Sequence, residues 1–499
     1  MATTPRRQTG PVSASSTVAN PIAEEHYGSK TVALEPGGVE YIPDSERHGR
    51  PLQMLWTWTS PNLEFATIAV GIIGPLFFGL SFWQAAAAIV VGTALGSATH
   101  GVLSSWGPLS GLAQMVLSRS GFGWIGNILP AGLNALVAGV GWFAVNSVSG
   151  ALALHALAGG IPRWLCLLII VAAQLTVAAF GHNLVHSFEK FVLPALAVVF
   201  VIGAVIAFHK ADLSTSHLSE LRTGKTLFPP LSVTGAFLIE AAAAFGYACG
   251  WNPYASDYTR YLPRSVNRAR TGGYAGLGVF LSCVVLECAG AAMVFVVAKP
   301  AVDPGVYTSM FPTWLGKLTL LGIAVGAVAA NALNIYSGAM SALALGVRLP
   351  VHRARMVVAM VFGVAGFVLA YFGLDDAGSK YENFLLIISY WIAPWLGVVL
   401  LDRLLRRGQD INALVLDRGH GNWAGPIAMF VGGAVSIFLF SNQTKYLGPI
   451  PKHHPVVGDI TPVVGFLIAA VIYGVLYKAM AGQPRADVRP VDTEPAPAA

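Results

Sequence analysis

Charge is what this sequence has least of. Asp, Glu, Lys and Arg make up 11% of its 499 residues, under half the share usual in soluble domains. So little charge excludes a solvated globular surface of ordinary composition. Cysteine is scarce too. Cys166, Cys249, Cys283 and Cys288 are the only four, and each falls inside an apolar run, which excludes a disulfide framework or a cysteine zinc site. Residues 1–50 lack the apolar core of a cleavable signal. They are polar and rich in Ser, Thr, Pro and Gly, and read as a disordered cytoplasmic tail. Residues 482–499 read the same way.

What remains is hydrophobic, at 55% of the chain. Apolar runs long enough to cross about 30 Å of hydrocarbon recur throughout, which makes this an all-α polytopic membrane protein. Twelve transmembrane helices are expected, at 57–80, 83–104, 128–157, 161–181, 190–208, 231–252, 274–298, 314–345, 354–373, 381–402, 423–441 and 459–480. With both termini cytoplasmic, the inside segments hold 21 of the 30 Lys and Arg and the outside loops nine. Arg260, Arg264, Arg268 and Arg270, then Arg348, Arg353 and Arg355, then Arg403, Arg406, Arg407 and Arg418 carry most of that excess. The asymmetry is the positive-inside signal, so the net charge of +6 reports topology and not nucleic-acid binding.

Two of the spans read as broken. The sixth runs into "FGYACGWNPYASDYTRYLP", which spends Gly250, Trp251, Asn252 and Pro253 in a row. Proline removes a backbone donor and clashes with the preceding turn, and a freed amide in hydrocarbon survives only inside protein or beside a water-filled cavity. The first span carries a second interruption at Gly71, Gly74 and Pro75. Five spans begin with each break. Interrupted segments in corresponding places of two halves point to a transporter site between inverted repeats, here 51–210 and 211–405, followed by spans 11 and 12 over 406–481. Pro and Gly also merely kink membrane helices, and that reading stays open for either break alone.

Polar and aromatic side chains are available to face such a site. Trp142 and Asn146 lie four apart in the third span, on one helical face. An indole can stack on a flat ring, and an amide can both donate to and accept from its edge. The alternative is a packing indole and a helix-bridging amide. In the eighth span Asn331 and Asn334 lie three apart, with Tyr336 and Ser337 next. Amides so deep in an apolar helix need partners.

These stretches, "GWNPYASDYTRYLP", "GWFAVNSVSGALAL", "SRSGFGWIGNILPA" and "NALNIYS", resemble the nucleobase–cation symporter family on its purine–cytosine permease side. The resemblance covers about residues 50–480. It implies the LeuT-type fold: a 5+5 inverted repeat with broken helices 1 and 6, plus two C-terminal helices. It further implies that a planar heterocycle lies between Trp142 and Trp251 while Asn146 and Asn334 read its edge. A gap-free match to sodium-coupled relatives would put Ala248 in place of Trp251. Thr67 is the nearest hydroxyl for a first-span polar contact, between Ala66 and Ile68. Sodium-coupled relatives carry two adjacent hydroxyl residues where this chain has Val328 and Ala329. A hard cation wants oxygen ligands, so the departure points to proton coupling. Intramembrane carboxylates are the candidates for the proton: Glu64, Glu240 and Glu287. Asp257 is expected to pair with Arg260 or a neighbouring loop.

Other signals are weaker. "HNLVH" (His182 to His186) has metal-like spacing without the Glu of a zinc peptidase and falls in an expected loop. "TGKT" (223–226) lacks the first Gly of a phosphate loop, and "GGYAGLG" reads as helix packing. No metal or cofactor, no nucleic acid and no required protein partner is expected. The expectation is a plasma-membrane secondary transporter that imports a nucleobase, cytosine or a purine, with a proton or sodium. Uracil, allantoin, hydantoin, pyridoxine or a thiamine precursor are alternatives. A channel or membrane enzyme is the remaining class, and an enzyme would need a nucleophile or metal cluster that the sequence does not offer.

Overall fold

The computed structural model describes residues 41–180, 182–214, 232–345 and 351–479. Each of the twelve expected stretches falls on a helix. In chain order these are α1 (Gln53–Thr59), α2 (Phe65–Phe78), α3 (Phe82–Ser104), α4 (Ile128–Leu136), α5 (Phe143–Ala158), α6 (Arg163–Phe180), α7 (His182–Lys210), α8 (Val233–Cys249), α9 (Ala255–Thr259), α10 (Arg268–Met293), α11 (Thr313–Ala344), α12 (Val351–Gly373), α13 (Ala377–Leu405), α14 (Ala424–Phe440) and α15 (Thr461–Ala479). Among the described residues seven spans are long and apolar enough to cross a bilayer alone, and the bent pair α1–α2 makes an eighth. Four shorter apolar helices, within α6, α7, α12 and α14, bring the sum to twelve only if each also crosses.

The first break is not where the glycines suggested. Helix α2 runs unbroken through Gly71, Gly74 and Pro75 and ends at Gly79, whose φ of 67° closes the helix in the left-handed region. The chain bends instead by 63° between Gln53–Asn62 and Phe65–Phe78. Pro75 lies inside α2 and deprives the Gly71 carbonyl of its intrahelical donor without ending the helix. Gly71 and Gly74 serve packing. A Cβ at Gly71 would lie 1.6 Å from the Glu287 carbonyl oxygen of α10, and one at Gly290 of α10 would lie 1.9 Å from the Ile68 carbonyl. Helices α2 and α10 therefore touch backbone to backbone, as small residues allow in lipid.

The second break is where the sequence placed it. Helix α8 ends at Cys249, a 3-10 turn occupies Asn252–Tyr254, and α9 resumes at Ala255. The two pieces stay within one 27-residue apolar span, Val233–Thr259.

Residues 41–50, assigned above to a disordered tail, are packed against the body. Arg47 Nη1 donates to the Pro108 carbonyl at 2.8 Å, and His48 N donates to the Tyr261 carbonyl at 2.7 Å. The expected loop at His182–His186 begins α7. Arg348, the 223–226 stretch and the rest of both tails lie outside the described residues, as do the side chains of His182, His186, Tyr336, Arg353 and Arg355. Among the described residues no group of three or more His, Cys, Asp and Glu could hold a metal ion.

Candidate functional site

The two breaks meet each other. Trp251, in the second break, donates from Nε1 to the Asn62 Oδ1 of the first at 2.9 Å. Thr67 Oγ1 donates to the Asn62 carbonyl at 2.6 Å and lies 2.5 Å from the Tyr247 hydroxyl of α8. The unwound carbonyls thus find partners inside the protein, as hydrocarbon requires. Thr67 braces the bend, with its hydroxyl already committed. Tyr381 of α13 adds a third brace by donating to the Ala66 carbonyl at 2.9 Å.

Trp142 closes a six-residue π-helical stretch, Val137–Trp142, between α4 and α5. Such bulges alter the face a side chain presents and recur at functional sites. Its indole lies parallel to that of Trp251, with an interplanar angle of 8° and ring centroids 6.4 Å apart. Two van der Waals contacts of about 3.5 Å each need about 7 Å. The planes of the pair are at most 6.4 Å apart, so the two indoles must part to take a flat ring between them. Gly250 permits this approach, since a Cβ there would stand 3.2 Å from Trp142 Cζ2. Tyr247 and Phe384 set their rings edge-on to Trp142, each 5.3 Å away. A cavity of about 280 Å³ lined by Phe65, Ala69, Val148, Tyr381 and Phe384 leads up to this point from the side of the α12–α13 turn.

Beside the indoles four buried polar side chains form one cluster. Asn146 Nδ2 donates to Asn331 Oδ1 at 3.0 Å, and Asn334 Nδ2 donates to the same oxygen at 3.3 Å. Asn331 Nδ2 is tied to the Phe143 carbonyl at 3.0 Å, which locks α11 to α5. Glu64, the residue preceding α2, brings its carboxylate to 2.9 and 3.1 Å from the Asn146 side-chain amide. Asn334 Oδ1 is buried without a partner, an acceptor open to a ligand.

The remaining sequence candidates lie elsewhere. Glu240 of α8 faces Gly74, and Glu287 of α10 accepts from Thr93 Oγ1 at 2.9 Å. Neither belongs to the amide cluster. Asn252 donates to Thr99 Oγ1 at 2.7 Å and fastens the second break to α3, with Pro253 starting the turn that follows. Sequence reasoning missed Asn62, Tyr247, Tyr381 and the buried Glu382. For Asn62 the "SPNLEF" string held the signal, a proline and two polar residues just ahead of the apolar run. Asp257 does not stop at a local pair. It accepts from the Gln114 backbone at 2.9 Å and from Ser337 of α11 at 3.2 Å.

A family model described as permeases for cytosine/purines, uracil, thiamine and allantoin matches residues 41–472. The chain is 28% identical over 457 residues to a putative purine-cytosine permease, YxlA, of Bacillus subtilis, covering 89% of this chain and 96% of that one. It is 27% identical to the purine-cytosine permease fcyB of Emericella nidulans, over 90% and 91% of the two chains. Among solved structures it is similar to Mhp1, a nucleobase-cation-symport-1 family transporter with bromovinylhydantoin bound. There the identity is 18%, the coverage 92% and 98%, and the TM-score 0.65. That last likeness concerns the fold, which is LeuT-type. The chain belongs to the cytosine and purine permease family, and it is a multi-pass membrane transporter and not an enzyme.

Proposed function

We propose that this permease imports a nucleobase, cytosine or a purine, by symport with a proton across the plasma membrane, with both termini cytoplasmic. The observation that carries the reading is the parallel pair Trp142 and Trp251 with Asn146 and Asn334 at its edge. Stacking supplies affinity for any flat ring, and the amides select among rings by donor and acceptor order. The relatives named purine-cytosine permeases support the same substrate class.

A proton is favoured over sodium because Val328 and Ala329 offer no side-chain oxygen, and the neighbouring Ala327 carbonyl already accepts from Gln174 Nε2 at 3.2 Å. The positive-inside distribution supports the orientation. Uptake of labelled cytosine, adenine, uracil, allantoin and pyridoxine into proteoliposomes tests the proposal. Cytosine or a purine should accumulate under an inward pH gradient with sodium replaced by choline. Accumulation of only a different ring, or a strict sodium requirement, would overturn the corresponding half.

A further inference from the structure

Helices α3 and α10 cross backbone to backbone. A Cβ at Gly101 would lie 2.7 Å from the Gly272 carbonyl oxygen, and one at Gly272 would lie 2.3 Å from the Gly101 carbonyl oxygen. Beside that crossing the two helices leave a groove of about 500 Å³. One wall runs from Ala94 to Ser105 and the other from Ala269 to Phe280. Ala98, Val102, Gly273 and Leu277 on these walls are exposed, so the groove opens outwards from the protein. At about 1.5 Å per residue each wall is about 16 Å long. That is the depth of one leaflet in a hydrocarbon core about 30 Å thick.

One end of the groove is basic. Arg268 precedes Ala269 and is exposed. Trp106 follows Ser105, and the Arg403 guanidinium sits over its ring, 5.9 Å from the centroid. Arg268, Asp402 and Asp410 are the charges that reach Arg403. Both carboxylates are occupied, Asp402 by Arg406 Nε at 2.8 Å and Asp410 by the Asn412 backbone at 2.9 Å. Arg403 Nη1 is shut off from solvent and meets no protein acceptor. Deeper in the groove the hydroxyl of Ser97, a residue 3% exposed, also lacks a protein partner. Helix packing thus leaves donors open at two depths. Arg268 and Arg270 moreover stand in the first turn of α10, where the helix dipole disfavours cations and favours an anion.

We propose that this groove binds one anionic phospholipid, its phosphate between Arg268 and Arg403 and one acyl chain along the groove. Basic pockets between membrane helices take anionic head groups, and a guanidinium grips phosphate through paired N–H bonds. The one-leaflet length and the basic end favour lipid over a second copy of this chain, whose two-fold mate would bring the same arginines together. Lipid bound here steadies the second break, because α3 holds it. Thr99 Oγ1 accepts from Asn252, and the Leu103 carbonyl accepts from Ser256 Oγ at 3.0 Å. The site is independent of the substrate and of the coupling ion.

Native mass spectrometry of the purified transporter, titrated in detergent with phosphatidylglycerol or phosphatidylcholine, tests the site. One phosphatidylglycerol should stay bound under activation that strips phosphatidylcholine. Arg268→Gln and Arg403→Gln should each weaken it roughly fivefold. Arg418→Gln, which alters an exposed arginine stacked on Trp124, should not. Gly273→Leu fills the groove from a position where a Cβ meets nothing within 4 Å, and should remove the bound lipid from a folded protein. Phosphatidylglycerol should also raise the melting temperature of the wild type and not that of Gly273→Leu. Equal retention of the two lipids, or full phosphatidylglycerol binding by Gly273→Leu, would overturn the proposal. A dimer that Gly273→Leu dissociates would overturn it in favour of a second copy. Should an arginine variant not fold, Gly273→Leu and the wild-type titrations decide it.

Discussion

The two helix breaks differ in kind, although each opens a set of five spans. The first turns the chain by 63° at Asn62–Glu64 and contributes a carboxylate. The second stays within one continuous span across Gly250–Tyr254 and contributes an indole. A sharp bend frees more backbone, so the first break needs Thr67, Tyr247 and Tyr381 as braces. The second break is fastened to α3 by Asn252 and Ser256 and to the first break by Trp251. The pair thus differs in what each brings to the centre of the protein, a carboxylate from one break and an indole from the other.

The largest expected effect separates packing glycines from the glycine of a true break. Gly71→Val should abolish folded transporter at the membrane, because its Cβ would collide with the Glu287 backbone. Gly250→Ala should fold, since its nearest contacts are 3.0 Å and beyond. Fluorescence-detected gel filtration of tagged protein decides it, and a well-folded Gly71→Val would return the hinge to α2. Trp142→Ala should come next. Loss of one stacking face is worth about 1–3 kcal/mol, so cytosine affinity should fall roughly tenfold to a hundredfold at normal expression. Unchanged uptake kinetics would refute the sandwich.

A smaller effect is expected where one break supports the other. Asn62→Ala leaves the buried Trp251 N–H unpaired, a cost of about 1–3 kcal/mol. Binding should weaken about tenfold, while Asn62→Asp, which keeps an acceptor, should bind more tightly than the alanine variant. Equal affinity for the two variants would show that the breaks are independent. The smallest change in affinity should come from Asn334→Ala, which is expected to reorder competing nucleobases more than it weakens them. Asn331→Ala should chiefly lower yield, because it unties α11 from α5. The reverse outcome in a competition panel would exchange their roles.

Part of the site was legible in the sequence because Asn146, Asn331 and Asn334 lie on regular helix, and part because the break announces itself in Gly and Pro. The spacing of Trp142 and Asn146 and the run Gly250–Pro253 name side chains that the structure does bring to one place. The first break was misplaced for a physical reason. Glycine marks either a departure from helical geometry or a close approach of two backbones, and one sequence does not say which. At Gly71 the partner is Glu287, more than two hundred residues away. The 106–127 stretch carries part of the "SRSGFGWIGNILPA" resemblance, but its packing was not legible: Gln114, Ser118 and Arg119 are buried. Ser120 Oγ donates to Asp402 at 2.5 Å and Arg119 Nη2 to the Ala344 carbonyl at 2.9 Å.

The parallel indoles act as a thickness gauge. The indole planes lie parallel with centroids 6.4 Å apart, so their faces must part to admit an aromatic plane about 3.5 Å thick. A puckered ring, or one with a substituent standing out of its plane, would have to part α5 from the second break. Nucleosides carry the same base edge as the free bases, but their sugar rises out of that plane. Free bases should therefore be carried and nucleosides excluded, by geometry alone and without any residue that recognises ribose.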